Sequence, residues 1–233
     1  MNKTLSILCG VCCLATTGSG LASIVSVTGG ISLIEAPASV APGELESSTN
    51  AWAFDERQSY ELSSDLMVDR LSGTTSAGTI NSGTVVNSYF IHADPLGSGT
   101  DPADVVNISG TVTFDTAILG LIWTGQACNN CPVSPKYLDA SDYLGAVGTI
   151  YPTGSLGRGY EVEDFYAING TQDFVIISED GFSLTTLSSA AQPLFSDQLR
   201  VITAASPVPL PLPVMLFCSG FLALIGFARR NRS

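Results

Sequence analysis

Strict alternation of apolar and polar residues is the clearest pattern in the central part of the chain. In residues 106–114, the sequence VNISGTVTF has apolar residues or Gly at the even positions and Asn, Ser or Thr at the odd positions. Side chains of a strand point to opposite faces with a period of two. The pattern therefore predicts a β-strand with one buried face.

Other short segments rich in β-branched and aromatic residues predict further strands, separated by clusters of Gly, Pro, Asn, Asp and Ser. Asp180-Gly181 is typical of a two-residue hairpin turn, and a short helix is predicted only at 140–144. The predicted strands are 24–34, 51–58, 83–91, 106–114, 117–123, 148–151, 160–168, 173–178, 182–187 and 198–203. Many short strands with frequent turns predict an all-β fold, a single jelly-roll-like β-sandwich over residues 23–204.

The first 22 residues have the three parts of a secretory signal peptide. Residues 1–3 are short and basic, residues 5–15 are apolar, and Gly20-Leu21-Ala22 has small residues on both sides of a cleavage site. We expect residues 1–22 to be removed on export. The cysteines of this segment lack the residues that precede a lipidation site, and we interpret them as apolar filling: Cys9, Cys12 and Cys13.

The last 26 residues also divide into three parts. A Pro-rich sequence, VPLPLP, occupies 208–213, an uncharged apolar run follows to Ala228, and the chain closes with Arg229, Arg230 and Arg232. At ~1.5 Å per residue, residues 210–228 barely span a bilayer core of roughly 30 Å. Arginines beside a span resist translocation, so this cluster predicts a stop-transfer signal with a cytoplasmic C-terminus.

This tail resembles the PEP-CTERM class of sorting signals, in the variant named for a Val-Pro-Leu-Pro-Ala motif. Val208, Pro209, Leu210 and Pro211 match the motif, and Leu212 stands in place of Ala. The resemblance implies that residues 205–233 are a sorting signal processed by an exosortase-type enzyme. It further implies a transient tether in the inner membrane with a periplasmic body, then a cell-surface or extracellular location among exopolysaccharide and biofilm.

The exported part is strongly acidic. The whole chain has a formal net charge of −12, and all 21 Asp and Glu residues lie between Glu35 and Asp197. Four of the nine Lys and Arg residues belong to the terminal signals. An acidic surface repels nucleic acid and attracts divalent or cationic partners, so nucleic-acid binding is excluded.

Cys128 and Cys131 are the two cysteines outside the signals, in the sequence Cys128-Asn129-Asn130-Cys131-Pro132. A redox dithiol would need a helix N-terminus to lower the thiol pKa, whereas this sequence is typical of a loop. A metal site would need a second Cys pair or histidines, and the chain has one His. An oxidising compartment favours the third alternative, a disulfide that pins the loop.

Aspartates in one Gly- and Pro-rich loop suggest a calcium site. Asp94, Asp101 and Asp104 lie between two predicted strands, and calcium takes six to eight oxygen ligands from carboxylates and loop carbonyls. The spacing does not match an EF-hand. The alternative is that these aspartates simply form turns.

No catalytic residue is predicted. His92 is the one histidine, and Ser155 lacks the first Gly of a nucleophile elbow. Glu161 and Glu163 would share a strand face, but an acidic chain offers carboxylate pairs without any catalytic meaning.

Two phrases, Ala53-Phe54-Asp55-Glu56 and Asp197-Gln198-Leu199-Arg200-Val201, resemble those of an uncharacterised group of PEP-CTERM proteins. That resemblance concerns the order of these motifs along the chain, and it implies no activity. The charged residues of the region predict a structural ion-pair network at one sheet edge: Asp55, Glu56, Arg57 and Arg200.

Two classes of function follow. The favoured one is a non-enzymatic surface or matrix protein, with exopolysaccharide as a partner. The alternative is a carbohydrate-binding module, or a glycan-active enzyme, on the jelly-roll scaffold. Sugar binding would be supported by exposed aromatic rings, whereas Trp52 and Trp123 stand in apolar surroundings typical of a core. Whether Trp52, Trp123 and Tyr89 face solvent distinguishes the two.

Overall fold

The structure, a computed structural model, describes residues 23–96, 106–124, 136–154, 158–160, 173–190 and 196–205. This part of the chain is all-β apart from helix α1 (Tyr137–Ala140) and a 3-10 turn (Asp142–Leu144). The strands are β1 (Ile24–Gly29), β2 (Ile31–Leu33), β3 (Ala51–Asp55), β4 (Tyr60–Glu61), β5 (Leu66–Val68), β6 (Arg70–Leu71), β7 (Gly78–Ile80), β8 (Val85–Ala93), β9 (Val106–Phe114), β10 (Ile118–Ile122), β11 (Phe174–Ile177), β12 (Ser183–Ala190) and β13 (Asp197–Ala204).

The strands form three sheets. The smaller main sheet has four strands in the order β1-β9-β12-β11, all antiparallel. The larger sheet has the order β2-β3-β8-β13-β10-β6, and β4 also pairs with β8. β5 and β7 form a two-stranded sheet. β8 and β13 are therefore central strands, and eight residues of each lie directly opposite one another.

The chain passes from one main sheet to the other at Gly29. The sequence predicts one strand over 24–34, but β1 joins the four-stranded sheet and β2 pairs in parallel with β3 of the larger sheet. Gly29 has a φ of 71°, which is a left-handed conformation that glycine adopts without steric cost. A Cβ on Gly110, its partner on β9, would collide with the carbonyl oxygen of Thr28. Gly29 and Gly110 thus allow β1 and β9 to approach closely where the predicted 24–34 strand divides into β1 and β2.

One hydrophobic cluster contains side chains from both main sheets. Val112 and Leu184 come from the four-stranded sheet, and Ile91, Leu199 and Val201 come from the larger one; all are fully buried. A second cluster lies on the opposite face of the larger sheet and includes Phe54, Phe90 and Ile202. Both faces of β8 and β13 are therefore covered, as their nearly continuous burial shows.

Two other local predictions are wrong. Residues 148–151 do not form a strand, because Ile150 makes only an isolated bridge to Ser39 and Gly148 has a φ of 91°. The hairpin at Asp180-Gly181 exists, but its loop is longer than two residues. The N–H of Ser178 donates to the carbonyl of Ser183 (2.9 Å), and the N–H of Gly181 donates to the carbonyl of Ser178 (2.9 Å).

Candidate functional site

Polar side chains converge on the face of the larger sheet that lies away from the four-stranded sheet. Alternation on β13 places Leu199 and Val201 in the first cluster and directs Gln198 and Arg200 to this opposite face. We call the set the buried polar network, and its members are all buried or nearly so: Glu56, Ser88, His92, Asp142, Arg158, Gln198 and Arg200.

Arg200 and Glu56 form the centre of the network. Arg200 Nε donates to Glu56 Oε2 at 2.7 Å, and Arg200 Nη2 donates to Glu56 Oε1 at 2.9 Å. The Ser88 hydroxyl donates to the same Oε2 at 2.5 Å. The guanidinium also lies 5.2 Å from the ring centre of Phe90 and 5.4 Å from that of Tyr151. Burial lowers the pKa of Arg200, but the charge and hydrogen bonds of Glu56 together with the charge of Asp142 oppose burial, and the net effect raises the pKa.

Asp142 joins this pair to a second arginine. Its Oδ1 accepts from Arg158 Nη2 at 2.7 Å and from Arg200 Nη2 at 3.2 Å, and Oδ2 accepts from Arg158 Nη1 at 2.8 Å. Arg158 Nη1 also donates to Asp139 at 2.7 Å. Burial raises the pKa of Asp142, but the hydrogen bonds and charge of Arg158 together with the charge of Arg200 oppose burial, and the net effect lowers the pKa. Helix α1 and the 3-10 turn are thereby bound to the sheet.

His92 ends the network as a neutral side chain. Gln198 Nε2 donates to His92 Nδ1 at 3.2 Å, so His92 Nε2 carries the proton and donates to the carbonyl of Glu44 at 3.1 Å. Arg158 Nε donates to Gln198 Oε1 at 2.6 Å, and Gln198 Nε2 also donates to the carbonyl of Val40 at 2.7 Å. Burial lowers the pKa of His92 to about 4, opposed by its bond to Glu44 and aided by the charge of Arg158.

The arrangement stabilises structure. Buried charges are costly unless each is paired and hydrogen-bonded, and here the side chains of Arg158 and Arg200 are both fully buried and both bridged to carboxylates. Both nitrogens of His92 are engaged, so the imidazole is not poised as a base. The network ties the 136–144 segment and the 40–44 loop to β8 and β13.

The predicted ion-pair network is confirmed in part. Glu56 and Arg200 pair as expected, but Arg200 lies on the central strand β13 and Glu56 lies beside the central strand β8, not at a sheet edge. Asp55 and Arg57 do not belong to it. Arg57 donates to the carbonyl of Tyr143 at 2.8 Å. Burial raises the pKa of Asp55, and the charge of Asp115 acts in the same direction. Sequence reasoning missed Arg158, which lies in an irregular segment with no periodic signal.

Comparisons of the chain with protein-family models, with curated proteins and with solved structures found no match.

Asp94 is the one member of the predicted calcium site within the described residues, since Asp101 and Asp104 lie outside them. It is fully buried, and its Oδ2 accepts from the N–H of Gly43 at 2.7 Å while Oδ1 has no partner. Burial raises the pKa of Asp94 to about 6, opposed by the Gly43 bond and aided by the charge of Glu46. Among the residues that the structure describes, no three His, Cys, Asp or Glu side chains are grouped to hold a metal ion.

Several other predicted sites lie outside the described residues. They are the signal peptide (1–22), the Cys128–Cys131 pair, Glu161 and Glu163, the sorting motif Val208, Pro209, Leu210 and Pro211, and the stop-transfer residues Arg229, Arg230 and Arg232. Within the described ranges, no helix is long and apolar enough to cross a membrane.

The three aromatic residues considered for sugar stacking do not form an exposed platform. Trp123 and Tyr89 are buried, and the Arg70 guanidinium lies 5.5 Å from the ring centre of Trp123. Trp52 is half-buried, and its indole N–H donates to the carbonyl of Leu45 at 2.6 Å. These rings contribute mainly to packing of the protein interior.

Proposed function

We propose that this chain is an exported, non-enzymatic surface or matrix protein that associates with exopolysaccharide. The observation that supports it best is the buried polar network. The residue types that usually perform catalysis are engaged there in structural contacts. Ser88 donates to Glu56, Asp142 accepts from Arg158, and His92 bonds to the carbonyl of Glu44. Their chemistry is used to hold a scaffold together.

The route of export is the second element of the proposal. The signal peptide directs residues 23 onward out of the cytoplasm, and the 205–233 tail holds the protein in the inner membrane with its arginines inside. An exosortase-type enzyme then cuts near Pro209 and Pro211. The apolar run that follows Pro213 contains about 15 residues, fewer than the ~20 of a stable span, which suits a tether that is later removed.

The exported part is proposed to be a single β-sandwich with jelly-roll-like topology. Its support is the first hydrophobic cluster, in which Val112 and Leu184 of one sheet lie together with Ile91 and Leu199 of the other. Such a cluster is what two sheets produce when their inner faces pack together.

Topology reporters fused after Ser233 test the export route. A reporter that is active only in the cytoplasm should be active in this fusion, and one that is active only in the periplasm should be silent. The matched fusion after Ala204, before the tail, should give the reverse pattern. A periplasmic signal from the Ser233 fusion would contradict the proposal.

A further inference from the structure

The four-stranded sheet contains no charged residue. Strands β1, β9, β12 and β11 are described over their whole length, with sequences IVSVTG, VNISGTVTF, SLTTLSSA and FVII. The larger sheet, in contrast, contains Asp55, Glu61, Arg70, Asp197 and Arg200. In a chain with a formal net charge of −12, a sheet without charge needs a physical reason.

Hydroxyl groups dominate the outer face of this sheet. Alternation turns Ile108, Val112 and Leu184 inward to the core, so the intervening residues face outward. We call this surface the hydroxyl face, and its members are exposed or half-buried: Ser26, Thr28, Asn107, Ser109, Thr111, Thr113, Ser183, Thr185 and, beside them, the apolar Phe174, Ile176 and Leu187.

The hydroxyls lie in rows across the strands. Thr28 is opposite Thr111, Thr111 is opposite Thr185, and Thr185 is opposite Ile176 on the last strand. Thr111 Oγ1 lies 2.9 Å from Thr185 Oγ1, and in the next row Thr113 Oγ1 lies 3.0 Å from Ser183 Oγ. Adjacent strands are ~4.8 Å apart, so each row presents hydroxyls at short, regular intervals. Their mutual hydrogen bonds and β-branched side chains reduce the rotamer entropy lost on binding.

Apolar side chains border the rows at one end. Phe174 and Ile176 on β11 are 38% and 56% exposed, and Leu187 is half-buried beside Phe174. The hydroxyl face therefore offers hydrogen-bonding groups and apolar contact area side by side. A pyranose ring has the same two properties, with hydroxyls around its edge and C–H groups on its faces.

The charge of the protein distinguishes among anionic, cationic and neutral polymers as partners of this face. Anionic polymers are repelled by the acidic chain as a whole, and cationic ones are drawn to the carboxylates elsewhere. An uncharged polymer meets no opposing field at the hydroxyl face and leaves no buried charge unpaired there. We propose that the hydroxyl face is the contact surface for a neutral polysaccharide, an inference that rests on the proposed role in the matrix.

Binding at this face depends on repetition. Each protein–sugar hydrogen bond replaces one with water and contributes little by itself. A polymer that lies along the rows makes many such contacts, and several protein molecules on one polymer add multivalency. A monosaccharide should therefore compete poorly.

The test uses the processed protein and the exopolysaccharide of the cells that produce it, divided by anion exchange into neutral and acidic fractions. Affinity electrophoresis should show retardation of the wild type in gels that contain the neutral fraction. Thr185→Asp puts a charge in the middle of the face and should weaken binding about tenfold or more. Thr185→Ser should bind like the wild type. Ser64→Asp adds the same charge at an exposed loop position away from this face and should also bind normally.

Each other result overturns the inference in a distinguishable way. Equal retardation of Thr185→Asp and wild type, with matching thermal midpoints, would place sugar binding on another surface. Retardation by the acidic fraction alone would preserve a matrix role and exclude this face. A dimer that dissociates in Thr185→Asp without polysaccharide, as seen by sedimentation, would make the face a contact between copies. Absence of the protein from the cell surface would instead contradict the proposed function itself.

Discussion

Glu56 and Arg200 are 144 residues apart in sequence and are joined across strand β8 by two hydrogen bonds of 2.7 and 2.9 Å. Glu56 follows β3, Arg200 lies on β13, and Ser88 of the strand between them bonds to the same carboxylate. The pair therefore fixes the relation of three strands in the larger sheet. The pair also binds helix α1 to the sheet, since Arg200 donates to the carbonyl of Leu138 at 3.2 Å.

Removal of one charge from this pair should strongly destabilise the fold. Glu56→Gln keeps the shape of the side chain but leaves the buried Arg200 without its main counter-charge, at an expected cost of about 3–5 kcal/mol. Urea unfolding of the exported protein measures the loss. The control is Arg57→Ala, an exposed neighbour, for which about 1 kcal/mol or less is expected. Equal losses in the two variants would show that the buried pair has no special role.

Acid should weaken the fold through His92. In the unfolded chain its pKa is near 6.5, and in the folded protein burial lowers that pKa to about 4. Between these values the unfolded state alone binds the proton, so the free energy of unfolding falls as pH falls, by at most about 1.4 kcal/mol per pH unit. His92→Gln removes this contribution, so the stability of the variant should depend less on pH between 7 and 4. Parallel curves for wild type and variant would contradict the prediction.

The alternating strands could be predicted because their period appears directly in the sequence. β9 occupies 106–114 as predicted, and β8 and β13 differ from prediction by only a few residues at their ends. β4 to β7 have two or three residues each, too few for any period to be detected. The rest of the buried polar network was harder to predict. Asp142 lies in the short 3-10 turn and Arg158 in an irregular segment, and only tertiary packing brings the two together.

The predicted loop site makes calcium a stabilising ligand that acts through Asp94. Millimolar calcium should raise the midpoint of thermal unfolding of the wild type, since extracellular sites commonly bind with dissociation constants of roughly 10⁻⁴–10⁻³ M. Asp94→Asn should abolish the response. Asp65→Asn, at an exposed carboxylate that accepts from the N–H of Ser82, should retain it. A calcium response that survives in Asp94→Asn, or none in the wild type, would rule out the site.

Cys128 and Cys131 should form a disulfide in the exported protein. Alkylation and mass measurement of periplasmic material should find no free thiol at either position. Replacement of both by Ser should leave the fold intact, with a loss toward the lower end of the ~2–4 kcal/mol typical of disulfides, because the ring is short. Two free thiols, or a metal ion bound at this loop, would contradict the prediction.

The mass of the C-terminal peptide of protein recovered from the cell surface or the medium tests export and processing most directly. We predict that this peptide ends at or before about Pro213, and that Pro209→Ala/Pro211→Ala leaves the full-length chain in the membrane, because the processing motif is lost. Recovered protein that still ends in Arg229-Arg230-Asn231-Arg232-Ser233 would show that the tail is an ordinary anchor and would contradict the account.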